Sequence, residues 1–109
     1  MGLCMIAGRG YDRGVNSIVF DSRDLEAMAA SFSALSDPIR LRVLTELRGG
    51  QRCVCELLEV VGIAPNLLSY HLRVLREAGL VDASRRGRWV DYRLVGNALD
   101  ELRESIPAV

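Results

Sequence analysis

The run Cys53-Val54-Cys55-Glu56-Leu57-Leu58 sets two thiols close together at the start of a candidate helix, in a chain whose only other cysteine is Cys4. Thiolates are soft ligands that select thiophilic ions over magnesium or calcium, and the unsatisfied N–H groups of a helix N-terminus favour thiolate over thiol. The pair therefore points to binding of a soft metal or metalloid, with Cys4 as a third donor if the N-terminal segment folds across. A plainer reading stays open, since cysteine also packs as a small hydrophobe beside a helix. Geometry adds a condition. Residues two apart in a regular α-helix are turned by about 200° from one another, so the sulfurs share one ion only if Cys53 lies in a non-helical first turn and can swing toward Cys55.

A second group of residues suits an anionic partner. The formal net charge is zero, yet residues 63–94 hold six arginines (Arg73, Arg76, Arg85, Arg86, Arg88 and Arg93) against three acids (Glu77, Asp82 and Asp91). Such asymmetry is what nucleic acid would require and what the total charge conceals. All fourteen cations are arginine, the side chain that forms bidentate contacts with phosphate and guanine.

Helices and a hairpin must position these groups. Met1 to Phe20 holds four glycines and little periodicity, which predicts a flexible arm over 1–20, with a short extended piece over Ser17 to Phe20. A domain over 21–109 follows. Asp21 or Ser22 can cap a first helix whose apolar residues are Leu25, Met28, Ala29, Phe32 and Leu35. Asp37-Pro38 is a helix-start pair for a second helix ending at Gly49-Gly50. A short third helix spans Cys53 to Val61, broken by Gly62, and Pro65 opens a fourth that reaches Ala78. On the fourth, Leu68, Leu72 and Leu75 face inward, while Asn66, Ser69, Tyr70, Arg73 and Arg76 face outward. Two short helices around a glycine turn form a helix-turn-helix, whose second helix enters the DNA major groove. Leu80 to Ser84 and Trp89 to Leu94 read as strands flanking a tip of Arg85-Arg86-Gly87-Arg88, with Trp89 and Tyr92 anchoring this wing to the core. Asn97 then caps a last helix containing Leu99, Leu102 and Ile106, stopped by Pro107. The expected class is mainly α with a small β-hairpin, a winged helix-turn-helix in the order α-α-α-α-β-β-α.

Three motifs in this order carry a family resemblance: Leu35-Ser36-Asp37-Pro38-Ile39-Arg40-Leu41-Arg42-Val43-Leu44, the Cys53-Val54-Cys55-Glu56-Leu57 run, and Ser69-Tyr70-His71-Leu72-Arg73-Val74-Leu75-Arg76-Glu77-Ala78-Gly79-Leu80-Val81. They are followed by Gly87-Arg88-Trp89-Val90-Asp91-Tyr92-Arg93-Leu94. From about Leu25 to Leu102 the chain resembles the ArsR–SmtB family of metal-sensing winged-helix repressors. The resemblance implies a homodimer packed through the first and last helices, bound to a palindromic double-stranded operator and released by an inducer. A Cys-Val-Cys pair at this place in the family marks sensors of arsenic(III), antimony(III), cadmium or lead(II), and no organic cofactor. Some arsenic sensors carry a further thiol where this chain has Leu58, whereas cadmium and lead sensors draw thiols from an N-terminal arm, where Cys4 stands. Zinc and nickel sensors use histidine on the last helix, where this chain has Asp100, Glu101 and Glu104 but no histidine. The implied ligands are thus Cys53, Cys55 and Cys4, and the implied DNA contacts Asn66, Ser69, Tyr70, Arg73, Arg85, Arg86 and Arg88.

Other functions fare less well. His71, the sole histidine, lies in the basic helix and is expected to pack or hydrogen-bond there, and no base accompanies the thiols, so a cysteine-nucleophile enzyme is not expected. A thiol-based redox regulator on the same fold is the alternative; a Cys53–Cys55 disulfide would be strained inside a helix, whereas an intersubunit one involving Cys4 could form. At 109 residues a single domain is expected and dimerisation is a natural supplement to its small core. No apolar run is long enough for a membrane span and residues 1–14 lack a secretory apolar region. A cytoplasmic location is expected, where three cysteines remain reduced.

Overall fold

Asp37 does what its type and place dictate. In the computed structural model, which describes residues 22–107, its backbone is extended, and Oδ1 accepts from the N–H groups of Ile39 at 2.8 Å and Arg40 at 3.1 Å. Pro38 occupies the first helical position, where its missing N–H costs nothing. Helix α1 spans Ser22–Leu35 and α2 spans Pro38–Leu47; β1 is Arg52–Cys53; α3 is Val54–Val61 and α4 is Pro65–Glu77. The wing consists of β2, Val81–Arg86, and β3, Trp89–Leu94, and α5 spans Ala98–Glu104. Asp21, the arm over 1–20 and the extended piece expected at Ser17 to Phe20 lie outside the described residues.

Leu68, Leu72 and Leu75 recur at helical spacing on α4 and are buried, as are Val43, Leu44 and Leu47 of α2 and Leu57 of α3. Ala34, Leu80, Val81, Tyr92 and Leu102 complete this core. Gly62 ends α3 at φ 71°, a left-handed conformation that glycine adopts without steric cost, and its N–H donates to Leu58 O at 2.9 Å.

Arg40 ties α1, α2 and α4 together. Its Nε donates to Ala34 O at 2.7 Å, near the end of α1, and Nη1 lies 3.0 Å from His71 Nδ1. Guanidinium is never an acceptor, so Arg40 donates and Nδ1 accepts in this contact. His71 is buried in this arrangement, a packed and hydrogen-bonded residue as expected.

The sheet, the wing and both ends of α5 differ from the sequence reading. The expected hairpin is a three-stranded antiparallel sheet in the order β1-β3-β2, because Arg52 and Cys53 pair with Tyr92 and Asp91. Arg85 and Arg86 belong to β2, leaving a turn of Gly87 and Arg88. Trp89 does not anchor the core. It pairs across from Arg86 on the outer face and is half exposed, while Tyr92 points inward and is buried. Lastly, α5 stops before Ile106, since the Ser105 hydroxyl donates to Leu102 O at 2.6 Å and closes the last turn. At the other end of α5, the backbone of Asn97 is not extended and its side chain makes no capping hydrogen bond.

Acid should reveal two carboxyls. Asp37 is held below the usual carboxylate range by the N–H of Arg40 first, then by that of Ile39 and the nearby charge of Arg40, against partial burial. Asp91 is held low by its hydrogen bond from Arg86. Each group therefore stabilises the fold in full above the unfolded Asp value of about 3.9, and this is lost as pH falls through the lower folded value. Far-ultraviolet circular dichroism between neutral pH and pH ~2 should show this acid limb, and it should flatten in Asp37→Asn and Asp91→Asn. Unchanged limbs in both variants would remove the two carboxyls from acid stability.

Candidate thiol site and nucleic-acid face

Cys53 is the last residue of β1 and the N-cap of α3, with φ −78° and ψ 160°, so it stands outside the helix that holds Cys55. The 200° separation of two helical neighbours does not apply. The side chains turn toward each other, the Cα atoms lie 5.4 Å apart, and the structure joins the sulfurs as a disulfide. Because Cys53 stands outside α3, the strain expected of a Cys53–Cys55 bond inside a helix does not apply. This placement also meets the geometric condition for two thiols to close on one soft centre.

The local backbone explains the placement. Glu56, three residues after the cap, accepts from the Cys53 N–H through Oε1 at 2.9 Å, one half of a capping box. Glu followed by apolar residues after the cap position is a sequence signature for this turn, although the pairing of Cys53 with β3 has none. Cys55 is exposed and Cys53 half-buried, and both lie at the positive end of α3. Among the described residues no three of His, Cys, Asp and Glu gather as a metal-binding group. The two thiols fit a centre that accepts two sulfurs, and Cys4 lies outside the described residues.

The sheet continues the site toward the wing. Asp91 sits opposite Cys53 across β1–β3 and opposite Ser84 across β2–β3, and is only 3% exposed. Arg86 binds it through Nε at 2.7 Å and Nη2 at 3.2 Å, and Gln51 donates Nε2 at 3.1 Å. Sequence reasoning found none of this carboxylate's role. Its only signal is β alternation, which places Asp91 on the same face as Trp89 and Arg93.

The DNA candidates divide by element. Asn66, Ser69, Tyr70 and Arg73 are all exposed on α4, opposite its buried leucines, and the Arg73 guanidinium lies 5.9 Å from the Tyr70 ring centre. Arg85 and Arg88 are exposed at the wing end. Arg86 is there too, but its guanidinium is engaged by Asp91 even though its side chain is 66% exposed. Leu67, also exposed on α4, was not among the expected contacts.

A helix-turn-helix with an arginine-bearing β wing defines a winged-helix DNA-binding domain. The comparisons specify it further. Residues 37–83 match the family described as bacterial regulatory protein, arsR family. The HTH-type transcriptional regulator NmtR of Mycobacterium tuberculosis is 39% identical over 99 residues, covering 86% of this chain and 82% of that protein. The arsenical resistance operon repressor of Bacillus subtilis is 41% identical over 64 residues, covering 58% of this chain and 61% of that one. The solution NMR structure of the homodimeric winged helix-turn-helix domain Mb0332 of Mycobacterium bovis, described as a possible ArsR-family regulator, is 29% identical with a TM-score of 0.69, covering 80% of this chain and 83% of that one. The chain belongs to the ArsR family of transcriptional regulators, and it is not an enzyme. No helix among the described residues is long and apolar enough to cross a membrane.

Proposed function

We propose that this chain is a cytoplasmic homodimeric repressor that binds a palindromic operator and releases it when a thiophilic ion occupies Cys53 and Cys55, with Cys4 as a third ligand. Arsenite or antimonite is the first choice of inducer and cadmium or lead(II) the next. The observation that carries this reading is the meeting of the two sulfurs at an extended N-cap. The name of the Bacillus subtilis arsenical resistance repressor is in keeping with it. Each thiol would displace one hydroxyl of arsenous acid, and the thiol proton would leave with that hydroxyl as water. Closing the pair on one centre fixes the entry to α3 and thus the start of the helix-turn-helix, and a coupling of about 1–3 kcal/mol suffices for release. A dimer through α1 and α5 is supported by a cleft of ≈ 320 Å³ between them, lined by Met28 and Leu102 among others, and by the half-exposed Leu25.

The test uses a duplex selected from a random pool by the reduced protein, with fluorescence anisotropy as readout. Arsenite, or failing that cadmium, should lower the affinity. No response to arsenite, antimonite, cadmium or lead(II) would end the inducer reading. On the same duplex, Arg73→Ala and Arg88→Ala should each weaken binding and reduce the slope of log affinity against log salt by roughly 1, as expected for a lost phosphate contact. An unchanged slope would remove that arginine from the phosphate-contacting surface.

The joined sulfurs also favour a second reading, a redox regulator. One hydrogen peroxide would oxidise two thiols to a disulfide and be reduced to two waters. Loss of two free thiols together with operator release, both reversed by dithiothreitol, would support it. Release by arsenite under full reduction would favour the first reading.

A further inference from the structure

We propose that Asp91 is a positioning residue that links the thiol pair to the wing, so that occupancy of Cys53 and Cys55 sets how firmly Arg86 is held. This rests on the thiol-site reading above. Asp91 is paired across the sheet with Cys53, and cross-strand partners project to the same face. Along β2, Ser84 opposite Asp91 and Arg86 two residues on share that face, and Arg86 is in turn opposite Trp89. One face thus carries, in order, the thiol strand, the buried carboxylate, the wing arginine and the chain's single tryptophan.

The hydrogen bonds follow the same path. Gln51, two residues before Cys53, and Arg86 both donate to Asp91 Oδ2, at 3.1 and 2.7 Å. A carboxylate only 3% exposed has little water to replace a lost partner, so a displacement of β1 is transmitted to the remaining partner instead of being absorbed by solvent. The other end of the link is free to respond. Arg86 is 66% exposed in its side chain, and a guanidinium held by Asp91 presents fewer donors to a phosphate than one released from it. A ligand that moves Cys53 would therefore alter wing charge without touching the wing.

Trp89, half exposed and opposite Arg86, reports the wing state directly. The probe is phenylarsine oxide on the reduced full chain. Two arsenic–sulfur bonds form, the arsenic–oxygen bond breaks, and the oxygen leaves as water with both thiol protons, with no change in oxidation state. Uptake is read as loss of two of the three thiols reactive toward dithionitrobenzoate, and the wing as Trp89 emission. The wild-type protein should show both. Asp91→Asn and Arg86→Gln should show uptake at the wild-type level and lose the emission change. Arg86→Gln, altered at an exposed side chain, keeps the test decisive if Asp91→Asn fails to fold by circular dichroism. Emission changes equal to wild type in the folded variants would overturn the link, as would loss of uptake in them, which would put Asp91 in the thiol site itself. Wild-type uptake without an emission change also overturns it while leaving the thiol site standing. No wild-type uptake overturns the thiol-site reading and the link together.

Discussion

Cys55→Ser and Cys53→Ser should each lower the affinity for a trivalent arsenical by about 10²-fold or more while leaving DNA binding in place. The second sulfur of a chelating pair binds at an effective concentration set by the turn that holds it, and losing such an intramolecular contact typically forfeits about 10²–10⁴ in overall affinity. The turn is short and fixed, with the Cα atoms 5.4 Å apart and the Cys53 N–H held by Glu56. Serine is nearly isosteric, and at position 53 it is a better N-cap than cysteine, so Cys53→Ser should match or exceed the wild-type protein in thermal stability. Loss of arsenical binding in that variant therefore reports chemistry and not unfolding. Isothermal titration of the reduced proteins, beside anisotropy on the selected duplex, measures both quantities. Affinities within a few-fold of wild type in both variants would leave the pair as packing cysteines.

The parts of the fold legible in the sequence are those with local causes. Asp37-Pro38 and Pro65 open helices and Gly62 closes one, because capping oxygens, a missing N–H and a left-handed φ act within a few residues. The burial of Leu68, Leu72 and Leu75 follows from spacing alone. The turn of Cys53 toward Cys55 was legible as a geometric requirement, since two thiols two residues apart can share a ligand only if one leaves the helix. What secures that turn was not. Strand β1 has two residues, too few for any periodicity, and it exists because β3 offers it an edge 38 residues later, at the Cys53–Asp91 pair. Asp91 read as one acid in a basic segment, and its burial depends on Gln51 and Arg86 arriving from separate strands and loops. Trp89 shows the limit of residue type as a guide. A tryptophan beside a buried strand suggests an anchor, but strand alternation gives the inward place to Tyr92.

Leu72→Ala should cost about 2–5 kcal/mol of stability, the usual range for truncating a buried leucine. Leu72 is 1% exposed on α4 and belongs to the core with Val43, Leu57 and Leu68. The loss combines the transfer energy of the deleted carbons with a cavity that helices on several sides cannot all close. Against the roughly 5–15 kcal/mol that hold a small domain folded, it is a large fraction of the total. Leu67, five positions earlier on the same helix, is 41% exposed, and Leu67→Ala should change stability by no more than about 0.5 kcal/mol. The two substitutions delete the same atoms from opposite faces of α4, so their difference isolates burial from helix propensity. Urea unfolding at one fixed protomer concentration, so that any dimer contributes equally, gives both values. Operator affinity below the unfolding transition should then invert the order, with Leu67→Ala weakening binding through a lost apolar contact in the groove and Leu72→Ala retaining it while folded. Equal stability costs at the two positions would mean that α4 does not present its Asn66, Ser69, Tyr70 and Arg73 side to solvent, and the DNA face would have to be sought on another element.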